Sequence, residues 1–204
     1  SSVLPFTATR PSPIHRSASR REHNPARAIR FAMRSPLCFS SDMSDNSQIP
    51  NAFTDQDHSF MRAALEEAKQ AQLRDEVPIG AVLVHNESGE IIASAGNQTR
   101  ESNDPSAHAE ILAIRKACGV QGAQRIPNTT LYVSLEPCTM CASAISFARI
   151  ERVIIGADDP KGGGVLHGAK FYEQPTCHWR PKVEHGLLAQ ECGQILRDFF
   201  KSKR

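Results

Sequence analysis

The 204 residues allow one domain of ordinary size with its own core, and leave room for an extension. They contain no run of about 18 apolar residues and no signal-peptide core, which excludes a membrane-spanning helix and points to a cytoplasmic protein. The net charge of +2 divides unevenly: residues 1–42 hold seven arginines against Glu22 and Asp42, or +5, so 43–204 carries 17 bases and 20 acids, or −3. A domain at −3 has no general attraction for nucleic acid, so an anionic partner would need a local basic patch.

In chain order, residues 1–42 are rich in Ser, Pro and Arg and cannot bury enough apolar surface to order themselves. They are expected to form a disordered extension outside the fold. Their composition suits an organellar transit peptide, yet Met43-Ser44-Asp45 also reads as a second start, with upstream sequence translated before it. The domain is taken as 43–204. Thr54-Asp55-Gln56-Asp57 can cap a first helix, with Phe60, Met61, Ala64, Leu65 and Ala68 on one side. Ile79 to Val84 is an apolar run of strand length, and Ser88-Gly89 turns it into Ile91-Ile92-Ala93, predicting a hairpin.

Asp104-Pro105-Ser106 is turn-prone and precedes Ala109, Ile111, Leu112 and Ala113, a helix start at His108. Thr130 to Leu135 reads as a strand leading directly to Pro137-Cys138, Thr139 to Phe147 as a helix, and Arg152 to Gly156 as another strand. This alternation argues an α/β sheet with helices on its faces and ligands at strand ends. After Gly162-Gly163-Gly164, residues His167 to Glu173 predict one short helix before a stretch rich in Pro and Arg. Leu188, Cys192, Ile195, Leu196 and Phe199 then recur at helical spacing, with Lys201, Lys203 and Arg204 as a basic tip. No internal repeat is visible.

The chemistry lies in His108-Ala109-Glu110 and Pro137-Cys138-Thr139-Met140-Cys141. A catalytic zinc takes three protein ligands and leaves a fourth position for water, and His108, Cys138 and Cys141 supply one nitrogen and two soft sulfurs. Glu110, two residues beyond His108, is then available to shuttle protons from the zinc-activated water. Both ligand groups fall at helix starts, where exposed N–H groups favour thiolates. A structural zinc ribbon would want a second Cys-x-x-Cys pair, and none exists; a redox pair would have no use for His-x-Glu. With two cysteines held for metal and Cys38 in the extension, the six do not make a disulfide framework, which implies a reducing compartment. Cys177-His178 are too few for a second closed site. His-x-Glu followed by Pro-Cys-x-x-Cys resembles the established signature of zinc-dependent nucleobase deaminases.

Residues from about 58 to 204 resemble the bacterial tRNA adenosine deaminases of the cytidine deaminase-like superfamily. Besides the zinc motif, the likeness rests on Glu76-Val77-Pro78-Ile79-Gly80-Ala81-Val82, Gly96-Asn97, Asp104-Pro105-Ser106-Ala107, Leu131-Tyr132-Val133, Leu135-Glu136 and Arg197-Asp198-Phe199-Phe200. The resemblance implies a three-layer α/β/α sandwich around a mixed five-stranded sheet, and a homodimer with one Zn²⁺ per subunit. It also implies hydrolysis of adenosine to inosine at the wobble position of a tRNA anticodon stem-loop, by zinc-bound hydroxide with Glu110 as the shuttle. Asn97, which by itself reads equally as a turn residue, matches the family asparagine that contacts the flipped base. Val77 and Ala109 are expected at the pocket, and Asp159 and Lys161 on a loop beside the RNA. The wording departs from the family between Gly162 and Val183, including Trp179, which as a lone aromatic is expected to pack. The same zinc chemistry admits two alternatives: a free-base or nucleoside deaminase, and a non-catalytic RNA-binding subunit. Retention of Glu110 argues against the second.

Overall fold

The computed structural model describes residues 53–204; the expected extension at 1–42 lies outside them. The first helix, α1 (Asp55–Leu73), is closed by the predicted cap. The Thr54 hydroxyl accepts from the Asp57 amide at 3.0 Å, and the Asp57 carboxylate accepts from the Thr54 amide at 2.9 Å. Its buried stripe is Met61, Ala64, Leu65, Ala68 and Ala71, with Phe60 only half-buried at its edge.

A hairpin follows, β1 (Gly80–His85) and β2 (Ile91–Gly96), paired antiparallel. Gly80 is required by packing: a Cβ there would lie 2.0 Å from the carbonyl oxygen of Ala64, so α1 rests directly on β1. Then come α2 (Ala109–Gln121), β3 (Thr129–Leu135), α3 (Thr139–Ala148) and β4 (Arg152–Ala157). β1 and β3 are antiparallel, whereas β3 and β4, joined across α3, are parallel as a helical crossover requires. The sheet order is β2-β1-β3-β4-β5.

Alternation along the strands divides the core in two. Ala81, Leu83, Leu131, Val133, Val153 and Ile155 face Ala113 and Ile114 of α2 and Ala142 and Ile145 of α3. Val82, Val84, Tyr132 and Ile154 face Met61, Ala64 and Leu65 of α1 and Cys192 of α4 (Ala189–Ser202). The architecture is therefore the expected α/β/α sandwich.

The fifth strand, β5 (Lys182–His185), was not legible from residue patterning. It is Lys182-Val183-Glu184-His185, with no apolar run, and it is a strand because β4 pairs with it in parallel and Arg152 of β4 meets Glu184 in an ion pair. Arg152 also binds Asp57 of α1 at 2.7 Å, and the Tyr132 hydroxyl donates to the same carboxylate at 2.8 Å. This network ties α1 to three strands.

The expected helix over His167–Glu173 requires correction. Only Phe171–Glu173 is helical, a single 3₁₀ turn, because Gly168 (φ 52°) and Lys170 (φ 43°) are both left-handed and interrupt any helix through them. Trp179 packs as expected, half-buried, with its indole N–H donating to the Ile150 carbonyl at 2.6 Å. Among the described residues no helix is long and apolar enough to cross a membrane.

Candidate metal centre and substrate cleft

Two helix N-termini converge at the carboxyl end of the parallel strand β3. His108 is the N-cap of α2 and Cys138 the N-cap of α3, and neither side chain caps its own helix. Both turn instead toward a common point, joined by Cys141 from the first turn of α3. His108 Nδ1 lies 3.7 Å from Cys138 Sγ and 3.5 Å from Cys141 Sγ, and the two sulfurs are 3.6 Å apart. Tetrahedral zinc with ordinary bonds of about 2.3 Å to sulfur and about 2.0 Å to nitrogen needs donor separations of roughly 3.5–3.8 Å. The three donors fit that ion, and they are the one such cluster among the described residues. Cys177 and His178 form no second one: Cys177 is buried against Ser146.

The three donors hold their protons unequally. Hydrogen bonding with Cys141 pulls the Cys138 thiol down to about 4 despite burial, and His108 adds to the pull. Cys141 itself is pushed up by the Cys138 sulfur and by burial, and His108 is raised by Cys138 against its own desolvation. A dication among these sulfurs would hold both as thiolates, because its charge outweighs either neighbour.

Glu110 sits in the first turn of α2, 3% exposed and outside the donor cluster. Burial raises its carboxyl above the usual range, against the smaller pulls of its own backbone N–H and of His108. A buried acid whose pKa is raised holds a proton more readily than an exposed one, as a proton carrier needs.

Asn97, at the end of β2, is buried, and its Oδ1 accepts from the Ala109 amide at 2.8 Å. Its own N–H goes to the Ile79 carbonyl and its carbonyl accepts from Arg74. Only Nδ2 remains to meet a substrate. Ala109, expected at the pocket, is fully buried, and its N–H is held by Asn97.

Val77, Asp159 and Lys161 come together elsewhere, in a cleft of about 910 Å³ floored by Ile79, Leu135 and Leu196. Its rim includes Arg197 and Arg204 of the last helix. Among the described residues, Lys161, Arg197 and Arg204 have no carboxylate within ion-pair distance, whereas Lys203 is bound to Asp75. The basic tip therefore offers fewer free cations than its sequence suggests, and Arg197 adds one. Asp159 Oδ1 accepts from the Lys161 and Gly162 amides at 3.1 and 3.0 Å, so its carboxylate shapes the turn that presents Lys161.

Two buried carboxylates with no role assigned from sequence brace these surroundings. Glu76 accepts from the amides of Arg100 and Glu101, both at 2.8 Å, and from the Thr99 hydroxyl, fixing the segment after Asn97. Glu136, next to Pro137-Cys138, gathers the loop that carries Asp159 and Lys161. The available signal was a lone acid at the end of an apolar strand, Val133-Ser134-Leu135-Glu136, which has no local partner.

Residues 54–157 match the cytidine and deoxycytidylate deaminase zinc-binding region. The chain is 59% identical over 145 residues to a tRNA-specific adenosine deaminase of Agrobacterium fabrum, covering 71% of this chain and 94% of that one. The chain belongs to the tRNA-specific adenosine deaminase family. The Bacillus subtilis member is 45% identical over 149 residues, 73% of this chain and 91% of its own. A solved structure from studies of A-to-I editing by tRNA:A34 deaminases at the wobble position of transfer RNA superposes with TM-score 0.66 and 59% identity, covering 68% of this chain and 99% of that one. A guanine deaminase from Nitrosomonas europaea, 22% identical with TM-score 0.62 over 70% of this chain and 83% of its own, shares the fold.

Proposed function

We propose that the protein hydrolyses adenosine to inosine at the wobble position of a tRNA anticodon loop. The observation that carries this reading is a three-donor zinc site beside one buried carboxyl group, Glu110, that is not a donor. It is supported by 59% identity to a tRNA-specific adenosine deaminase. His108, Cys138 and Cys141 would hold one zinc per chain, which when bound lowers the pKa of a water to about 7 and so supplies hydroxide at neutral pH.

Glu110 takes the proton that the water releases and gives it to a ring nitrogen as oxygen adds to C6. The remaining hydroxyl proton travels through the same carboxylate to the amine, so ammonia leaves and inosine keeps a hydrogen on the ring. Asn97 offers Nδ2 to an acceptor on the base edge. Val77 lines the cleft for neighbouring nucleotides, and Lys161, Arg197 and Arg204 face their phosphates. Flipping a base costs least in a single-stranded loop, which suits an anticodon. We propose a homodimer as the assembly, supported by Met140 and Phe147, which stand 38% and 74% exposed on α3 where a second copy would cover them.

The test is mass analysis of synthetic anticodon stem-loops after incubation with the full chain, beside free adenine, guanine and cytosine. The expected result is replacement of the wobble amine by oxygen in the stem-loop. Deamination of a free base with none in RNA would replace this reading by a free-base deaminase.

A further inference from the structure

Residues 158–170 connect β4 to the 3₁₀ turn with no helix or strand of their own, so their backbone amides must find partners elsewhere. Five N–H groups find one partner, the carboxylate of Glu136, whose side chain is 0% exposed. Oε1 accepts from the amides of Val165 (3.2 Å), Leu166 (2.8 Å) and His167 (3.0 Å). Oε2 accepts from the Asp159 amide (3.0 Å) and from His167 Nδ1 (2.7 Å), which fixes the proton of that ring on Nδ1.

The fit leaves no slack. A Cβ on Gly163 would lie 2.3 Å from the Glu136 carboxyl carbon, and one on Gly164 would lie 2.5 Å from the Thr139 amide at the start of α3. Gly164 also donates to the Pro137 carbonyl at 2.9 Å. The loop is thus gathered on the Glu136 carboxylate, with Asp159 holding its tip, and pressed against the helix that carries Cys141. Its other edge, Asp159, Lys161 and Gly162, is a wall of the 910 Å³ cleft.

We infer that Glu136 is a positioning residue for the deamination reaction: it locks the substrate-facing loop of 159–167 to the metal ligand Cys138, two residues away, so that cleft wall and metal centre form one rigid body. The inference rests on the proposed RNA substrate. A carboxylate is needed because five donors converge on two oxygens. Gln has one acceptor oxygen, and its NH₂ would point at N–H groups. Charge-assisted bonds of this kind are about twice as strong as neutral ones, so removing the charge weakens the bonds to one oxygen while the new NH₂ group turns away the donors at the other.

Glu136→Gln in the full chain tests this. The expected result is one zinc per chain as in the parent, KM for an anticodon stem-loop raised on the order of tenfold, and kcat within about threefold, the pattern of lost substrate positioning. Amide hydrogen exchange should rise across 159–167 and stay unchanged across 139–148. Should Glu136→Gln not fold, His167→Ala, which removes one donor from a half-exposed side chain, should give a smaller KM rise with the same exchange pattern. An unchanged KM with faster exchange, or a loss confined to kcat, would overturn the positioning role. The parent protein in the same assay separates the two readings: inactivity of the parent on RNA defeats the proposed substrate, while exchange in the loop still reports on the lock.

Discussion

The side-chain carbonyl of Asn97, at the end of β2, accepts the first free amide of α2, that of Ala109, at 2.8 Å. Its amide group can therefore face only outward, because the helix N–H admits no other orientation. One residue thus closes the helix that carries His108 and Glu110 and presents a donor to whatever enters. These two duties can be separated. Asn97→Asp keeps the acceptor and loses the donor, whereas Asn97→Ala loses both. Thermal unfolding of Asn97→Asp should match the parent while its kcat/KM on a stem-loop falls. Asn97→Ala should lose the same activity and also about 1 kcal/mol of stability, the usual weight of such a cap. Equal activity in parent and Asn97→Asp would refute the donor role.

Glu110 is buried and outside the zinc donors. Glu110→Gln preserves size and should leave zinc content and unfolding temperature near the parent. Deamination should fall by about two to four orders of magnitude, the weight of a positioned acid/base. Turnover close to the parent's would remove it from the mechanism.

The three metal donors predict a different signature. Cys138→Ala or His108→Ala should abolish stoichiometric zinc, measured by elemental analysis, and lower the unfolding temperature, since metal bound only by the folded state stabilises it. Zinc content therefore separates ligand variants from the Glu110 variant, although both lack activity.

At the opposite end of the parallel strands, Asp57 is held far below the ordinary carboxylate range. Burial works against this, but Arg152, the Thr54 amide and Tyr132 outweigh it. Glu184 is lowered in the same way, with Arg152 and Lys182 overcoming its burial. A carboxylate depressed in the folded state contributes stability that is complete above its unfolded pKa, about 4, and that is lost as pH falls toward the folded value. The difference in urea midpoint between the parent and Asp57→Asn, both in chelator to remove the metal's own pH dependence, should be constant from neutrality to about pH 5 and shrink below about 4. A difference that grows with acidity would contradict the ionised network.

Residue order alone picks out the three side chains that cluster, the buried acid beside them and most of the elements. Those signals are local: a cap at Thr54, helical spacing from Met61 to Ala68 and from Leu188 to Phe199, and ligands placed at the first residues of helices. What only tertiary structure decided is where charged groups without local partners go. Glu184 makes a strand of β5 because Arg152, 32 residues away, pairs with it, and Glu136 gathers the loop of 159–167, just before the short helix expected over His167–Glu173. A buried carboxylate takes its stability from donors brought to it by the folded chain. Neighbours in sequence carry no trace of that choice, whereas hydrophobic period and capping are fixed within a turn or two of backbone.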